Sequence, residues 1–375
     1  MQDRSRVYIS LGSNIGNRLE HLQAAIDAIH YEIGSIIKIS SCYQTPALGF
    51  DGDPFLNACI EVRTYLSPEL LMSKLLQLEE NQGRKRLNNG QYNARTIDLD
   101  ILFYDNKIVE NKLLSIPHPR LHQRRFVLQP MEEIASDFVH PNHHQTIATI
   151  LEGCEDDSIV ERTRDNLENP LRGMDLSAYN FIAIEGNIGA GKSSLTQMMA
   201  QDFNAKSIFE RFADNPFLPK FYEDAERYAF TLEMSFLADR YQQISEDLAQ
   251  LDLFKDFIIA DYDVFKSLIF SKITLSEDEF LLYRKLFYQV YKDFKRPDLY
   301  VYLHQDVKKL KANIKKRGRS YERQLESDYL NKIHQGYLEF IKNNPQFKVK
   351  MIDITHRDFV ENRYDYLWLI NQIQD

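Results

Sequence analysis

The chain is poor in cysteine. Only three are present in 375 residues, and no two of them form a Cys-x-x-Cys pair. An odd number at wide spacing argues against a disulfide framework. We therefore expect Cys42, Cys59 and Cys154 to be reduced and chemically inert thiols.

Positive charge and long apolar runs are also scarce. The formal net charge is −9, which argues against a protein that binds nucleic-acid backbones in general. No run approaches the roughly 20 apolar residues of a membrane-spanning helix, and the first residues lead into a strand without an apolar signal core. We therefore expect a cytoplasmic protein without membrane or nucleic-acid partners, whose local basic clusters bind small phosphorylated ligands.

What remains is the composition of a globular protein, with 43% hydrophobic and 27% charged residues. These values exclude a disordered or fibrous chain. A length of 375 residues is more than one compact core usually accommodates. Two domains are therefore expected.

The most specific motif is Glu-Gly-Asn-Ile-Gly-Ala-Gly-Lys-Ser-Ser-Leu at residues 185–195. Apolar residues 181–184 predict a buried strand before it, and residues 194–200 predict a helix after it. A glycine-rich turn with Lys-Ser between a strand and a helix is typical of a phosphate-binding P-loop. Lys192 would reach the outer phosphates and Ser193 would hold Mg²⁺. The predicted nucleotide-binding residues are Gly186, Asn187, Gly189, Ala190, Gly191, Lys192, Ser193 and Ser194.

The first half of the chain alternates predicted strands and helices. Strands are predicted at residues 7–11, 36–43, 57–64 and 96–103. Helices are predicted at residues 18–33 and from Pro68 onward, with Ser67 as the N-cap. The order strand, helix, strand, strand, helix, strand predicts a ferredoxin-like α+β sandwich.

Asp98 and Asp100 lie two residues apart on the last of these strands, so both carboxylates should face the same side. Paired acids suit a hard cation such as Mg²⁺, although two acids on a solvated strand face are the alternative. Arg84 and Arg95 are close in the chain. Basic residues beside paired carboxylates suit a metal-bound polyphosphate.

Further short motifs span residues 7–160. They are Leu11-Gly12-Ser13-Asn14, Thr45-Pro46, Phe55-Leu56-Asn57-Ala58, Gln82-Gly83-Arg84, Arg95-Thr96-Ile97-Asp98-Leu99-Asp100 and Pro117-His118-Pro119-Arg120. Together they resemble the hydroxymethyldihydropterin pyrophosphokinases of the folate pathway. The resemblance implies that the pterin hydroxymethyl oxygen attacks the β-phosphorus of ATP and that AMP is released.

The same resemblance implies roles for the matching residues. Two Mg²⁺ ions bridging ATP would be held by Asp98 and Asp100. The triphosphate would be lined by Arg84, Arg86, Arg95, His118 and Arg124, of which Arg84, Arg95 and His118 join the two aspartates in catalysis. The pterin edge would be bound by Thr45, Leu48 and Asn57, and its faces would stack on Phe55 and Phe126.

Two polar segments follow. Histidines 140, 143 and 144 suggest zinc, but no cysteine or acid lies at ligand spacing, so a polar surface loop is the preferred interpretation. Residues 159–177 are polar and contain Pro170 and Gly173. They predict a linker between a first domain at residues 1–158 and a second at residues 178–375.

The second half has apolar segments at residues 181–184, 207–209, 257–260, 299–303 and 349–353, separated by helical patterns. This predicts a parallel sheet with helices on both faces. Aromatic residues within 221–248 recur at helical spacing, which is more typical of a core than of a ligand cage. This half also resembles the deoxyribonucleoside kinases, in particular the bacterial deoxyadenosine/deoxyguanosine branch. The resemblance rests on the P-loop together with Glu210, Tyr222, Glu233, Arg240, Arg317-Gly318-Arg319 and Glu322.

This second resemblance implies transfer of the γ-phosphoryl group of ATP to the 5′-hydroxyl of a deoxynucleoside. Glu210 would be the general base, and Tyr222 and Glu322 would hold the 3′-hydroxyl. Charge on the transferred group would be stabilised by Lys192 and by a lid that carries Arg317 and Arg319, since positioning and electrostatics carry such reactions.

Two departures from the family pattern matter. Asp261-Tyr262-Asp263 stands where the family usually has an acid, Arg and Ser, so Asp261 is kept as a substrate-site acid and the arginine is lost. Glu233 stands where many members place Gln against the base. An ionised Glu only accepts hydrogen bonds, which favours an exocyclic amine and predicts deoxyadenosine. Arg240, on the same helix face, could orient or neutralise Glu233.

The two halves together predict a bifunctional transferase that uses ATP and Mg²⁺, with hydroxymethyldihydropterin and a deoxynucleoside as small-molecule substrates. One alternative makes the second half a catalytically weak nucleotide-binding or dimerisation module, because the arginine is missing. Another is a P-loop kinase for a different small hydroxyl compound. The second resemblance also implies a homodimer through the C-terminal domains.

Overall fold

The structure is a computed structural model that describes residues 4–47, 52–84, 94–111, 113–174, 176, 178–211, 215–249, 255–292, 294–319, 322 and 325–374. The chain divides into two compact units, residues 1–174 and residues 175–375. Two predicted site residues, Leu48 and Arg86, lie outside the described ranges. No helix within those ranges is long and apolar enough to cross a membrane.

The first unit is built on an antiparallel sheet. Its described strands are β1 (Ser5–Ser13), β2 (Ser35–Ile39), β3 (Tyr43–Thr45), β4 (Phe55–Thr64), β5 (Asp98–Tyr104), the small pair β6 (Val109–Glu110) and β7 (Ser115–Ile116), and β8 (Glu161–Arg162). The main sheet has the order β5-β1-β4-β3-β8, and β2 also pairs with β4. The helices are α1 (Arg18–Glu32), α2 (Pro68–Asn81), α3 (Arg125–Ala135) and α4 (Ile147–Glu152).

Side-chain alternation along β1 explains the layers. Val7 and Ile9 belong to the core under α1 and α2, while Tyr8 belongs to the core under α3 and α4. At the predicted start of α2, the Ser67 hydroxyl accepts a hydrogen bond from the Leu70 amide (3.3 Å). The ferredoxin-like order is confirmed, and α3 and α4 add a helical layer that the sequence did not predict.

The segment predicted as one strand at residues 36–43 forms two strands, β2 and β3. Ser40 lies between them, and its hydroxyl accepts a hydrogen bond from the Cys59 amide on β4 (2.9 Å). A side-chain oxygen thus takes the place of a backbone acceptor, which interrupts the ladder at this residue.

Much of the predicted linker packs on the first unit. β8 pairs with β3, the Thr163 amide donates to the Cys42 carbonyl (2.9 Å), and the Asn169 side chain donates to the Ile36 carbonyl (3.0 Å). Only the end of the segment 159–177 therefore falls at the boundary between the units.

The three cysteines form no disulfide. Cys42 and Cys59 are buried, and burial raises the pKa of the Cys42 thiol to about 12. A thiol in this environment is unreactive near neutral pH, as expected from the sequence.

The second unit is built on a parallel sheet. Its described strands are β9 (Phe181–Gly186), β10 (Lys206–Ile208), β11 (Ile258–Ala260), β12 (Leu299–His304) and β13 (Val349–Asp353), in the order β10-β11-β9-β12-β13. The helices are α5 (Lys192–Asp202), α6 (Leu218–Glu223), α7 (Ala225–Ala249), α8 (Lys266–Thr274), α9 (Glu277–Val290), α10 (Val307–Arg317), α11 (Ser327–Asn343) and α12 (Arg363–Gln374).

This strand order places the predicted chemistry on one edge. β9 lies between β11 and β12, and ligands of open parallel sheets bind beyond the carboxyl ends of strands where the order reverses. The P-loop follows β9, Glu210 follows β10, and Asp261 follows β11. The predicted parallel sheet with flanking helices is confirmed.

Candidate active sites

The first unit has a cleft beside β1, β4 and β5. Its lining is mostly polar and consists of Ser10, Gly12, Thr45, Pro46, Phe55, Asn57, Arg84, Arg95, Asp98, Asp100, His118, Arg120, Gln123, Arg124, Phe126 and Asp156. Except for Leu48 and Arg86, every residue predicted for the pterin and triphosphate sites therefore lines one cleft.

Two arginines neutralise Asp98 at the edge of the cleft. Arg84 Nη1 lies 2.6 Å from one carboxylate oxygen, and Arg95 Nη1 donates to the other at 2.7 Å. Arg84 also pairs with Glu79, a buried residue of α2 whose Oε1 accepts from the Leu99 amide (2.8 Å). Glu79 thus ties α2 and Arg84 to the strand that carries the aspartates.

Asp100 lies two residues from Asp98 on β5, and both are half-buried. Burial, with the charges of Asp98 and Glu79, raises the pKa of Asp100 to about 6. A divalent cation would relieve this repulsion. Mg²⁺ is commonly bound by one or two protein carboxylates together with substrate phosphates, so the two aspartates fit this ion.

His118 is neutral in the cleft. Burial, with the charges of Arg124 and Arg120, lowers its pKa to about 4. Its Nδ1 accepts a hydrogen bond from the Arg120 amide (3.3 Å), so Nε2 carries the ring proton. His118 can therefore donate one hydrogen bond without adding a charge.

Residues predicted to bind the pterin lie together in the same cleft. The Asn57 side chain donates to the Thr45 hydroxyl (2.9 Å). Phe55 and Phe126 line the same cleft, and each ring has an arginine guanidinium at 5.6 Å from its centroid, Arg95 and Arg124 respectively. Two aromatic rings beside polar side chains suit a flat heteroaromatic ligand.

The histidines at positions 140, 143 and 144 are only partly the surface loop we predicted. His140 is 2% exposed, and its Nδ1 accepts from the Asn142 amide (3.1 Å), which fixes the turn. Burial lowers the pKa of His140 to about 4. In the described ranges no group of three or more His, Cys, Asp or Glu side chains could hold a metal ion.

The P-loop of the second unit requires glycine. Gly186, Gly189 and Gly191 have φ angles of 148°, 84° and 84°, which favour glycine. A β-carbon at Gly191 would lie 2.7 Å from the Phe359 ring. The predicted residues Asn187 and Ala190 belong to this turn, and α5 begins at Lys192 and includes Ser193 and Ser194. Lys192 Nζ donates to the carbonyls of Gly186 and Asn187 (both 3.0 Å).

Asp261 connects the P-loop to the predicted base. Its carboxylate accepts a hydrogen bond from the Ser193 hydroxyl and another from the Glu210 amide (2.8 Å). Asp261 was predicted as a substrate-binding residue, and its contact with Ser193 also suits an acid that shares Mg²⁺ with a P-loop serine. Ser193 and Asp261 together fit a magnesium site.

Glu210 is held by two cations. Arg240 Nε donates to Oε1 (3.0 Å), and Lys266 Nζ lies 2.5 Å from Oε2. Burial by itself would raise the pKa of Glu210, but the charges of Lys266 and Arg240 hold it well below its usual range. Glu210 is therefore a carboxylate at every physiological pH.

Arg240 was predicted to orient or neutralise Glu233. Its guanidinium donates to Glu210 and to the Ser267 hydroxyl (2.5 Å), and its charge also opposes the rise that burial causes in the pKa of Glu233. Glu233 forms no ion pair within the described residues. Its Oε1 accepts from the Thr274 hydroxyl (3.1 Å), Oε2 has no partner there, and burial raises its pKa to about 7.

Glu322 forms ion pairs with both arginines of the predicted lid. Arg317 Nε donates to its Oε2 (3.1 Å) and Arg319 Nη1 to its Oε1 (3.2 Å). The cleft is lined by Ile188, Gly189, Lys192, Ser193, Glu210, Leu218, Phe221, Tyr222, Leu232, Glu233, Phe236, Arg240, Asp261, Lys266, Phe270, Arg317, Arg319, Glu322 and Tyr329. Tyr222 and Phe236, from the aromatic stripe, thus face the cleft.

Sequence reasoning missed Lys266, Phe270 and Tyr329, which all line this cleft. Lys266 is the first residue of α8 and follows Asp261 by five positions. A signal was present, since a lysine follows closely on the acid at the end of a predicted strand. The direction of its side chain depends on the turn between β11 and α8, which the sequence pattern did not reveal.

Fold and sites together define two ATP-dependent transferase domains, the second of them a P-loop kinase. The family model for deoxynucleoside kinase matches residues 182–375, and that for 7,8-dihydro-6-hydroxymethylpterin-pyrophosphokinase matches residues 8–136. The chain belongs to both families. Its second unit is a member of the deoxynucleoside kinase family, and its first unit is a member of the pyrophosphokinase family.

Individual relatives cover the two units separately. The chain is 38% identical over 191 residues to a deoxyguanosine kinase of Bacillus subtilis, across 50% of this chain and 92% of that protein. It is 40% identical over 156 residues to a 2-amino-4-hydroxy-6-hydroxymethyldihydropteridine pyrophosphokinase of Haemophilus influenzae, across 41% of this chain and 96% of that protein. A solved deoxyadenosine kinase from M. mycoides with bound dATP matches 52% of this chain and 100% of its own, at 25% identity and a TM-score of 0.46.

Proposed function

We propose that the chain is bifunctional. The first unit transfers a pyrophosphoryl group from ATP to 6-hydroxymethyl-7,8-dihydropterin, and the second transfers the γ-phosphoryl group of ATP to the 5′-hydroxyl of a deoxynucleoside, with deoxyadenosine as the first candidate. The observation that carries the proposal is that each cleft combines acids placed for Mg²⁺, cations for phosphates and aromatic side chains.

In the first cleft, Phe55 and Phe126 stack on the pterin while Asn57 and Thr45 bind its edge. Arg84 and Arg95, which contact Asp98, donate to phosphate oxygens when the nucleotide enters. His118 donates its Nε2 proton as a hydrogen bond without adding charge. The hydroxymethyl oxygen then attacks the β-phosphorus and AMP leaves.

In the second cleft, Glu210 orients the 5′-hydroxyl and accepts its proton. A carboxylate with so low a pKa is a weak base, but the loose transition state of phosphoryl transfer asks mainly for positioning and charge stabilisation. Lys192, Arg317 and Arg319 supply that charge, and Tyr222 with Glu322 binds the sugar. Mg²⁺, held by Asp98 and Asp100 in one cleft and by Ser193 and Asp261 in the other, would neutralise phosphate charge when bound.

The carboxylate of Glu233 favours a substrate whose base carries an exocyclic amine. When Glu233 is ionised, its Oε2, which has no partner among the described residues, can accept a hydrogen bond from the exocyclic amine of adenine but has no proton to donate to thymine O4. Deoxyguanosine is the second candidate. The relative from Bacillus subtilis is named a deoxyguanosine kinase, and guanine presents N1–H and an exocyclic amine to an acceptor.

Product analysis tests both activities on one protein. The full chain with Mg-ATP is given each of the four deoxynucleosides, or the pterin, and AMP and ADP are quantified separately. We expect AMP only with the pterin and ADP only with a purine deoxynucleoside. Thymidine as the best substrate would refute the role of Glu233, and no ADP with any nucleoside would leave the second unit as a nucleotide-binding module.

We also propose a homodimer through the second unit. Leu281, Leu282 and Tyr288 of α9 are between 46% and 55% exposed, which leaves an apolar surface that a second copy could cover. Light scattering of the purified chain, compared with a Leu281→Lys variant, tests this. A monomeric mass for the unsubstituted chain would refute it.

A further inference from the structure

The position where related kinases carry an arginine holds Tyr262, whose side chain does not face the cleft. Tyr262 is 1% exposed and packs in the hydrophobic core with Phe265 and Tyr283. Among the described residues it is not part of the cleft lining. A cation for the phosphates must therefore come from another position.

The turn after Tyr262 places such a cation, Lys266, in the cleft. Asp263 is buried, accepts a hydrogen bond from the Tyr300 hydroxyl (3.0 Å), and donates its own amide to Glu185 Oε1 (2.7 Å). Its carbonyl accepts from the Lys266 amide (3.1 Å), at the residue where α8 begins. This anchored turn returns the chain to the cleft at Lys266, which is 8% exposed.

Lys266 and the P-loop lysine, Lys192, line the same cleft, and Lys266 also pairs with Glu210 there. Two ammonium groups that repel each other in a buried cleft favour an anion of several charges between them.

Compensation of the negative charge of Glu210 does not require Lys266. Arg240 already gives Glu210 Oε1 two donors, from Nε (3.0 Å) and Nη2 (2.5 Å). An ammonium group has three donors, and Glu210 takes one of those of Lys266. Among the described residues, Lys266 therefore retains donors for an anionic ligand of the cleft that it lines.

We infer that Lys266 is a further phosphate-binding cation, which donates to the γ-phosphoryl group of ATP while it holds Glu210 beside the 5′-hydroxyl. The inference rests on the proposed kinase activity. The 5′-oxygen forms a bond to the γ-phosphorus, and the bond from that phosphorus to the bridging oxygen breaks, so ADP leaves with the electron pair. The hydroxyl proton passes to Glu210. Lys266 stabilises the charge that collects on the transferred oxygens.

Three substitutions test Lys266. Lys266→Gln removes the charge, and Lys266→Arg keeps it. Lys272→Gln is the matched control, because Lys272 lies on the exposed side of the same helix and pairs with Glu339 (2.6 Å). ADP formation with a deoxynucleoside is measured on the full chain, with the inhibition constants of AMP-PNP and ADP against ATP. These constants report on the second unit, since the first releases AMP.

We expect Lys266→Gln to lower kcat by about 10²–10³-fold, the usual effect of removing one pre-organised donor to developing charge. The inhibition constant of AMP-PNP should rise at least about tenfold more than that of ADP, because only AMP-PNP carries a γ-phosphate for the charge-assisted hydrogen bond. Lys266→Arg should restore most turnover, and Lys272→Gln should behave as the unsubstituted chain.

Equal changes in the two inhibition constants would overturn the inference and leave Lys266 as a partner of Glu210 alone. If Lys266→Gln has no turnover to inhibit, equilibrium dialysis of labelled nucleotides makes the same comparison. The inference then requires one AMP-PNP site to be lost while ADP binding is retained. Absence of ADP formation by the unsubstituted chain refutes the proposed kinase activity instead, before any variant is made.

Discussion

Glu233 should weaken the fold while it improves substrate recognition, so Glu233→Gln should change stability and activity in opposite directions. The residue is 3% exposed, and Oε2 lacks a partner within the described ranges. Burial is the main cause that raises its pKa from the ordinary value of 4.5 to about 7. The folded protein therefore binds this proton more tightly than the unfolded chain does.

The size and sign of the stability effect follow from that difference. A pKa that rises from 4.5 to about 7 corresponds to a destabilisation on the order of 3 kcal/mol above pH 7. The penalty is absent below pH 4.5, grows as the pH rises to about 7, and is constant above it. At pH 8 the neutral glutamine should raise the Tm of the second unit by about 3–10 °C. At pH 5 it should change the Tm little.

The activity should respond in the other direction. The ionised carboxylate accepts a hydrogen bond from the exocyclic amine of the base, and a bond to a charged group contributes about 1.5–3 kcal/mol. Its loss should lower kcat/KM for the purine deoxynucleoside by about 10–100-fold at pH 8. In the unsubstituted chain kcat/KM should rise as the pH increases through about 7, and the glutamine variant should lose that dependence.

The assays are calorimetry of the full chain at pH 5 and 8, and kcat/KM for the preferred deoxynucleoside between pH 6 and 8. Glu226→Gln, at an exposed position near the start of the same helix, is the control for removing one acid from α7. A lower Tm for Glu233→Gln at pH 8 would refute the reasoning about burial. Unchanged kcat/KM would refute contact with the base.

Three further variants test the two active sites and the P-loop turn. Lys192→Ala should abolish ADP formation with deoxynucleosides and leave AMP formation with the pterin unchanged, as product analysis would reveal; loss of both would contradict independent sites. Asp98→Asn together with Asp100→Asn should do the reverse in the same assay, with at least about a 10³-fold loss of AMP formation if the pair holds the metal. Gly191→Ala should destabilise the second unit by about 1–3 kcal/mol in thermal unfolding, because its φ of 84° is unfavourable for alanine and the added carbon would meet Phe359; an unchanged Tm would show that the turn relaxes.

Local signals accounted for much of the molecule. Glycine spacing between a strand and a helix identified the P-loop, and two-residue alternation placed Asp98 and Asp100 on one face, because both depend only on neighbouring residues. Apolar periodicity likewise found the five strands of the second unit in its described ranges. The break at Ser40 was missed because it depends on a hydrogen bond to another strand.

The partners of the charged side chains were decided by the tertiary structure alone. Arg240, predicted to orient or neutralise Glu233 on its own helix, donates to Glu210, 30 residues away, and Lys266 reaches Glu210 across 56 residues. Asp261 reaches Ser193 across 68. Ionic and hydrogen-bond energies depend on distance in space and on exclusion of water, and neither is a property of spacing along the chain. The sequence by itself therefore determined which chemical groups the protein has and which elements carry them, while only the packed fold decided which groups meet and how burial sets their charge.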